Sequence, residues 1–175
     1  MASDTANVKL GVCKITFGGV DLGYTKGGVE VDVTTDTHEV TVDQFGESVI
    51  NEYVTKRDIK VKAPLAETTL ENLVAIMPGS SLIVDGVDAT KKRVDITNGV
   101  GTNLLSVAQE LMLHPIELAD SDVSEDLTIP LAATAGAMSF AYKHDDERVY
   151  NTEFTGYPDP TTKLLFQLGD TTATA

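Results

Sequence analysis

Residues 29–43 read VEVDVTTDTHEVTVD, and the alternation inside them decides the fold. Val29, Val31 and Val33 fall on one side of an extended chain while Glu30, Asp32 and Thr34 fall on the other, which is the period of a half-buried strand. The polar stretch Thr35 to His38 reads as a turn. Alternation resumes after it with Val40 and Val42 opposite Glu39, Thr41 and Asp43, so the two halves read as a β-hairpin with a valine face toward a core and a carboxylate-rich face.

Working outward, Gly27-Gly28 opens this strand, and Val8 to Phe17 is a further run of β-formers that ends in turn residues at Gly18, Gly19, Asp21 and Gly23. Downstream, Gln44 to Tyr53 breaks the alternation yet carries Phe45, Val49, Ile50 and Tyr53, side chains that are costly to leave in water and that expect something to pack on. Val54 to Leu65 alternates again, with Ile59, Val61 and Ala63 against Lys56, Asp58, Lys60 and Lys62, a strand with a basic side. The period then changes. Leu70, Leu73, Val74 and Met77 follow helical spacing, Thr68 with Glu71 forms a capping box, and Pro78-Gly79 ends the helix. Leu104 to Leu113 fits a helix or a strand equally well. Leu127 to Tyr142 suits a strand buried on both faces, and Arg148 to Gly156 returns beside it as a second hairpin. Lys163 to Leu168 gives a short last strand. The expectation is one mainly β domain over residues 1–168, with a flexible tail at 169–175.

Composition bounds the function. The chain has 175 residues, with 13 Lys and Arg against 27 Asp and Glu, a formal net charge of −14. A surface short of cations cannot grip nucleic acid by counterion release. The single cysteine, Cys13, forms no internal disulfide, and Met1 to Leu10 has neither a basic nor an apolar signal region, so a cytoplasmic origin is expected. The apolar stretch Ile129 to Tyr142 is shorter than the roughly 20 residues that span a bilayer.

The residue types of catalysis do not converge. His38, His114 and His144 lack metal-ligand spacing, and Cys13 sits in a strand, away from any helix N-terminus that would activate it. Gly18 to Gly23 begins like a phosphate-binding loop, but Tyr24 stands where that loop needs lysine. The acidic stretches Glu117 to Asp126 and His144 to Glu147 read as solvated loops. Neither a metal, a cofactor nor an enzymatic activity is expected.

One constellation does carry information. From Gly27 through Thr55 there are seven acids (Glu30, Asp32, Asp36, Glu39, Asp43, Glu47 and Glu52) and no Lys or Arg. The ordinary reading is a solvated face kept soluble by charge; the sharper one is a surface that repels a polyanion.

The segment Val40-Thr-Val-Asp-Gln-Phe-Gly46, the basic strand, the helix Glu67 to Met77 with Pro78-Gly79, Leu113-His-Pro115, and Val149-Tyr-Asn-Thr-Glu-Phe-Thr-Gly-Tyr-Pro-Asp159 together resemble the major tail tube protein of long-tailed, non-contractile bacteriophages. The resemblance covers most of the chain and lies in the order of the pieces. It implies an antiparallel β-sandwich or barrel with one flanking helix, with Leu104 to Leu113 as a strand. It also implies a virion protein that assembles into stacked hexameric rings around a tape-measure protein, meets tail-tip and tail terminator proteins, and conducts genomic DNA. On that resemblance Glu30, Asp32, Glu39 and Asp43 line the bore, and the arm Gln44 to Tyr53, through Phe45, Val49, Ile50 and Tyr53, reaches a neighbouring ring. Two alternatives stand beside it. One is the tube of a contractile injection or type VI secretion device; the other is a monomeric β-sandwich binding module, for which the absence of Trp and the 6% aromatic content are unfavourable.

Overall fold

The computed structural model describes residues 3–5 and 8–173. Its period-2 stretches become strands β1 (Cys13–Phe17), β2 (Val20–Asp21), β3 (Glu30–Thr41), β4 (Val49–Leu65), β5 (Ser80–Val84), β6 (Lys92–Ile96), β7 (Gln109–Pro115), β8 (Leu127–Ser139), β9 (Tyr150–Gly156) and β10 (Gln167–Leu168). The helix α1 spans Leu70–Ile76. The fold is therefore mainly β, with antiparallel pairing in the order β2-β1-β7-β8-β9-β4-β3 and β10 beside β8.

The sheet curls back on itself. Residues 24–26 run along the end of β4: Thr25 bridges Leu65, Lys26 N donates to Pro64 O at 3.0 Å, and Ala66 N donates to Tyr24 O at 2.7 Å. Gly27 and Gly28 then take φ of 102° and 89°, a kink that lets the chain leave this seam and start β3 in a new register. Inside the curl, alternate residues of each strand interlock: Ile15 and Phe17 of β1, Ile59, Val61, Ala63 and Leu65 of β4, Leu111 and Leu113 of β7, and Phe154 of β9 are buried. Phe17 and Phe154 meet with ring centroids 5.0 Å apart. Packing here is tight enough that a Cβ on Gly156 would lie 2.4 Å from Ile59 Cγ2, so glycine is required.

Several expectations shift by a residue or a partner. The N-cap of α1 is Thr69, whose side chain accepts from Asn72 N, rather than Thr68. Thr68 instead accepts from the Arg148 guanidinium at 2.7 Å, and Glu71 pairs with Lys92 at 2.8 Å. Leu104–Val107 is a 3-10 turn that leads into β7, so the ambiguous segment is both turn and strand. β8 is buried on both faces over Thr128 to Thr134, as its low polarity implies. Asp126, read as part of a solvated loop, turns inward: its Oδ1 lies 2.7 Å from Nδ1 of buried His114, and its carbonyl accepts from Gly169 N at 2.8 Å. The side-chain pair fastens the end of the acidic loop to β7, and the backbone bond holds Gly169 beside it; Thr174 and Ala175 of the expected tail lie outside the described residues. The β5–β6 hairpin, unforeseen, has the Asp85-Gly86 turn signal and packs beside α1. Cys13 is half-buried, and burial pushes its thiol pKa up, which keeps it protonated and unreactive.

β4 divides sharply, with every residue from Val49 to Arg57 exposed and the apolar positions from Ile59 onward buried. Ile59→Ala should lower unfolding free energy by about 2–5 kcal/mol, as expected for a cavity in a packed core, whereas Val54→Ala on the same strand should shift it by less than about 0.5 kcal/mol. Urea denaturation of both variants checks the division.

Candidate functional site

The division of β4 arises from its neighbours. On one side β9 pairs only with Lys60 to Leu65, while on the other β3 pairs along the whole strand as far as Thr41 opposite Val49. Thr34–Thr41 and Val49–Asp58 thus form a two-stranded ribbon that leaves the sheet. Eight residues at about 3.3 Å each give it a reach of roughly 26 Å. Twice β4 spends an extra residue against β3: its partner steps from Lys56 to Val54 between Asp36 and Thr37, and from Asn51 to Val49 between Val40 and Thr41. Bulges of this kind increase the right-handed twist of a ribbon. The tip is a 3-10 turn, Asp43–Phe45, ended by Gly46 at φ 63°.

The expected hairpin within residues 29–43 is therefore corrected. Thr35 to His38 is no turn; it continues β3, and the hairpin partner is β4. The arm is correspondingly longer than Gln44 to Tyr53. The valine face is the rim of the core rather than its interior, since Val31 and Val33 keep 37% and 46% of their surface exposed. Val29 packs against the core, and Val31 and Val33, opposite buried Val61 and Ile59, sit at its open rim because β3 is the last strand of its sheet and soon runs beyond it.

The four acids assigned to one face also separate. β3 carries no bulge of its own, so Glu30 and Asp32 share a face with Asp36 and His38, while Glu39, an odd number of residues away, faces the other side with Val31, Val33, Thr35 and Thr37. Asp43 belongs to the tip. The first face is a ladder of opposite charges rather than a bare acidic wall: Glu30 is opposite Lys62, Asp32 opposite Lys60 and Asp36 opposite Lys56. Lys62 Nζ lies 2.9 Å from both Glu30 and Asp32, and Lys60 lies 2.8 Å from Glu153 of β9. Lys56 pairs with Asp58. Hydrogen bonds to Asp32 and Glu30 raise the Lys62 pKa, and the bond to Asp58 raises that of Lys56, so both stay charged. Five carboxylates against three ammonium groups leave this face net acidic. A shallow groove of about 710 Å³ continues the face at the foot of the arm, and its charged groups, Glu30, Lys62 and Glu153, are those of the ladder.

Beyond Lys56 the character changes. Glu39, Asp43, Glu47 and Glu52 have no cationic partner among the described residues. Phe45, Val49, Ile50 and Tyr53 are all exposed, Phe45 at 66% and Tyr53 at 61%, and Val54, which sequence reading placed in the next strand, joins them. The structure thus brings the four predicted arm residues together at the end of one ribbon.

No protein-family model matches the chain, and no curated protein matches it. Its backbone is similar to a chain in a solved structure described as "Virion of native gene transfer agent (GTA) particle", with a TM-score of 0.41 and 8% sequence identity over 89% of this chain and 95% of that one.

A ribbon with partners on neither side has little to hold its hydrogen bonds closed. Amide hydrogen exchange on the dilute protein should therefore be fast across residues 34–57 and slow across 59–65, although both belong to one hairpin. Equal protection in the two halves would mean that the arm is covered already.

Proposed function

We propose that this chain is a structural subunit of a virion, one that polymerises into stacked hexameric rings to form a tail tube for genome passage. The observation that supports this reading is the arm. Five apolar side chains at the end of a two-stranded ribbon have no core to enter in their own chain, and a contact on a neighbouring ring would cover them. An arm at one place that seats on a different place of the next copy is a heterologous contact, which propagates into a ring or a filament. The edge of β3 supports the same reading. It is a long edge strand with no Pro, so its outer row of backbone groups is open to a strand of another copy, while its acids limit which strand that can be.

In a tube built this way, the bore falls to the face with Glu30 and Asp32. Its lysines are already held by its own carboxylates, so a passing phosphate finds no free ammonium group, and the surplus acids repel it weakly. DNA then slides without binding minima. The tape-measure protein, tail-tip and terminator proteins would be the other partners of such a tube.

Negative-stain microscopy with sedimentation tests the assembly. Concentrated or seeded protein should give uniform hollow tubes, and a variant with Gln44 to Glu52 replaced by a short Gly-Ser linker should stay folded and give none. Only monomers at every concentration, with tail-tip complexes added as seeds, would sink the reading.

The bore assignment has its own test in particles. Glu30→Lys with Asp32→Lys frees Lys62, leaves Lys60 on Glu153 and adds two further cations, turning a paired face into one that binds phosphate. Assembly should survive because these side chains point away from the core, while DNA release slows at low salt and recovers as salt rises. Release at the wild-type rate in low salt would remove this face from the bore.

A further inference from the structure

The second face of the ribbon carries charges that its own chain does not use. Arg57 donates to Thr35 Oγ1 at 3.2 Å and has no carboxylate partner among the described residues. Further toward the tip on the same face, Glu39 and Glu52 stand directly opposite one another. Like charges in directly opposed positions destabilise a strand pair, and no cation among the described residues relieves them. The Glu39–Glu52 rung lies four positions along β3 from the Arg57 rung at Thr35, about 13 Å at strand rise, too far for Arg57 to answer it within one ribbon.

Between the two rungs lies Thr37 opposite Val54, with Val54 exposed at 58%. Read along the arm, the face is cationic, then apolar, then anionic. That pattern is its own complement when a second copy is laid on it antiparallel, about a two-fold axis through the Thr37–Val54 rung. We propose that in solution two copies of this chain pair arm to arm through this face, each Arg57 reaching the partner's Glu39 and Glu52 while the two Val54 side chains pack on each other at the axis.

Only the antiparallel arrangement is complementary. A parallel one sets Arg57 on Arg57 and four glutamates together. The contact is small, because a few rungs of a ribbon bury less than the roughly 1,200 Å² of a stable specific interface. The dimer is accordingly weak, fast to exchange and sensitive to salt. It occupies the same arm that the tube reading assigns to ring stacking, so it would compete with tube growth, but it rests on the exposed arm alone and stands or falls separately from the tube.

Sedimentation velocity on the full chain at low salt, over a concentration series, tests the proposal. Wild type should show a monomer–dimer equilibrium that high salt dissolves. Arg57→Glu should weaken it by about ten-fold or more, and so should Glu39→Arg with Glu52→Arg. An equimolar mixture of those two variants should dimerise again, because each supplies the charges that the other lacks; the triple variant carrying all three changes should dimerise alone. Circular dichroism confirms that each variant is folded. A wild type that remains monomeric throughout, a dimer unmoved by Arg57→Glu, or a mixture that fails to associate would each overturn the proposal. Tubes formed by a protein that never dimerises would do so too, while leaving the tube reading intact.

Discussion

Backbone hydrogen bonding along β4 is the constraint on which the rest of the structure depends. One strand serves two settings: from Lys60 to Leu65 it has neighbours on both sides and its alternate side chains close the core, and before that it has β3 alone. Because the strand is continuous, the arm has no hinge of its own at the point where it leaves the sheet. Its direction is set by the register of Ile59 and Val61 in the core, and the twist added at its two bulges turns the distal faces relative to the base. An arm anchored in this way presents its apolar tip in a defined direction even where its own hydrogen bonds are weakly protected.

The strands that enter the core were legible because burial on one face enforces period 2. Ile59, Val61 and Ala63 obeyed it, and so did the two-sided burial of β8. Residues 29–43 misled for an instructive reason. The valines sit at odd positions up to Val33 and at even positions from Val40, a change of phase that in the sequence alone reads as a turn at Thr35 to His38. A strand that crossed a core could not change phase without a bulge or a turn. β3 does so freely because beyond Val33 it has left the sheet and neither face is buried. The change of phase therefore marks where the sheet ends. The true turn was signalled by Gly46, which takes positive φ at the tip. Other misses were of partner rather than type, as when Thr69 took the cap expected of Thr68.

Charge was legible in amount and misleading in arrangement. Residues 27–55 hold seven acids and no Lys or Arg, and the next segment is rich in lysine. Segment by segment this looks like segregation. Antiparallel pairing folds the second segment back on the first and sets Glu30 by Lys62 and Asp32 by Lys60, so that part of the contrast along the chain becomes neutralisation across it. Exposed pairs of this kind contribute little to stability individually. Their larger effect is on what a polyanion meets, since an ammonium group engaged by two carboxylates, as Lys62 is, has little left to offer a phosphate.

The acids left over after that pairing are all near the tip, among the side chains with most to gain from burial. An apolar ribbon with an open edge invites indiscriminate association. Glu39, Asp43, Glu47 and Glu52 oppose the simplest form of it, because two tips that meet side by side and in register bring like charges together beside Phe45 and Tyr53. Contacts of the arm with a different surface, or with another arm reversed, avoid that repulsion. The charges at the tip thus leave the apolar residues free to be buried while restricting the geometry in which burial is favourable, and a chain that must remain soluble alone and associate in one manner needs both properties in the same few residues.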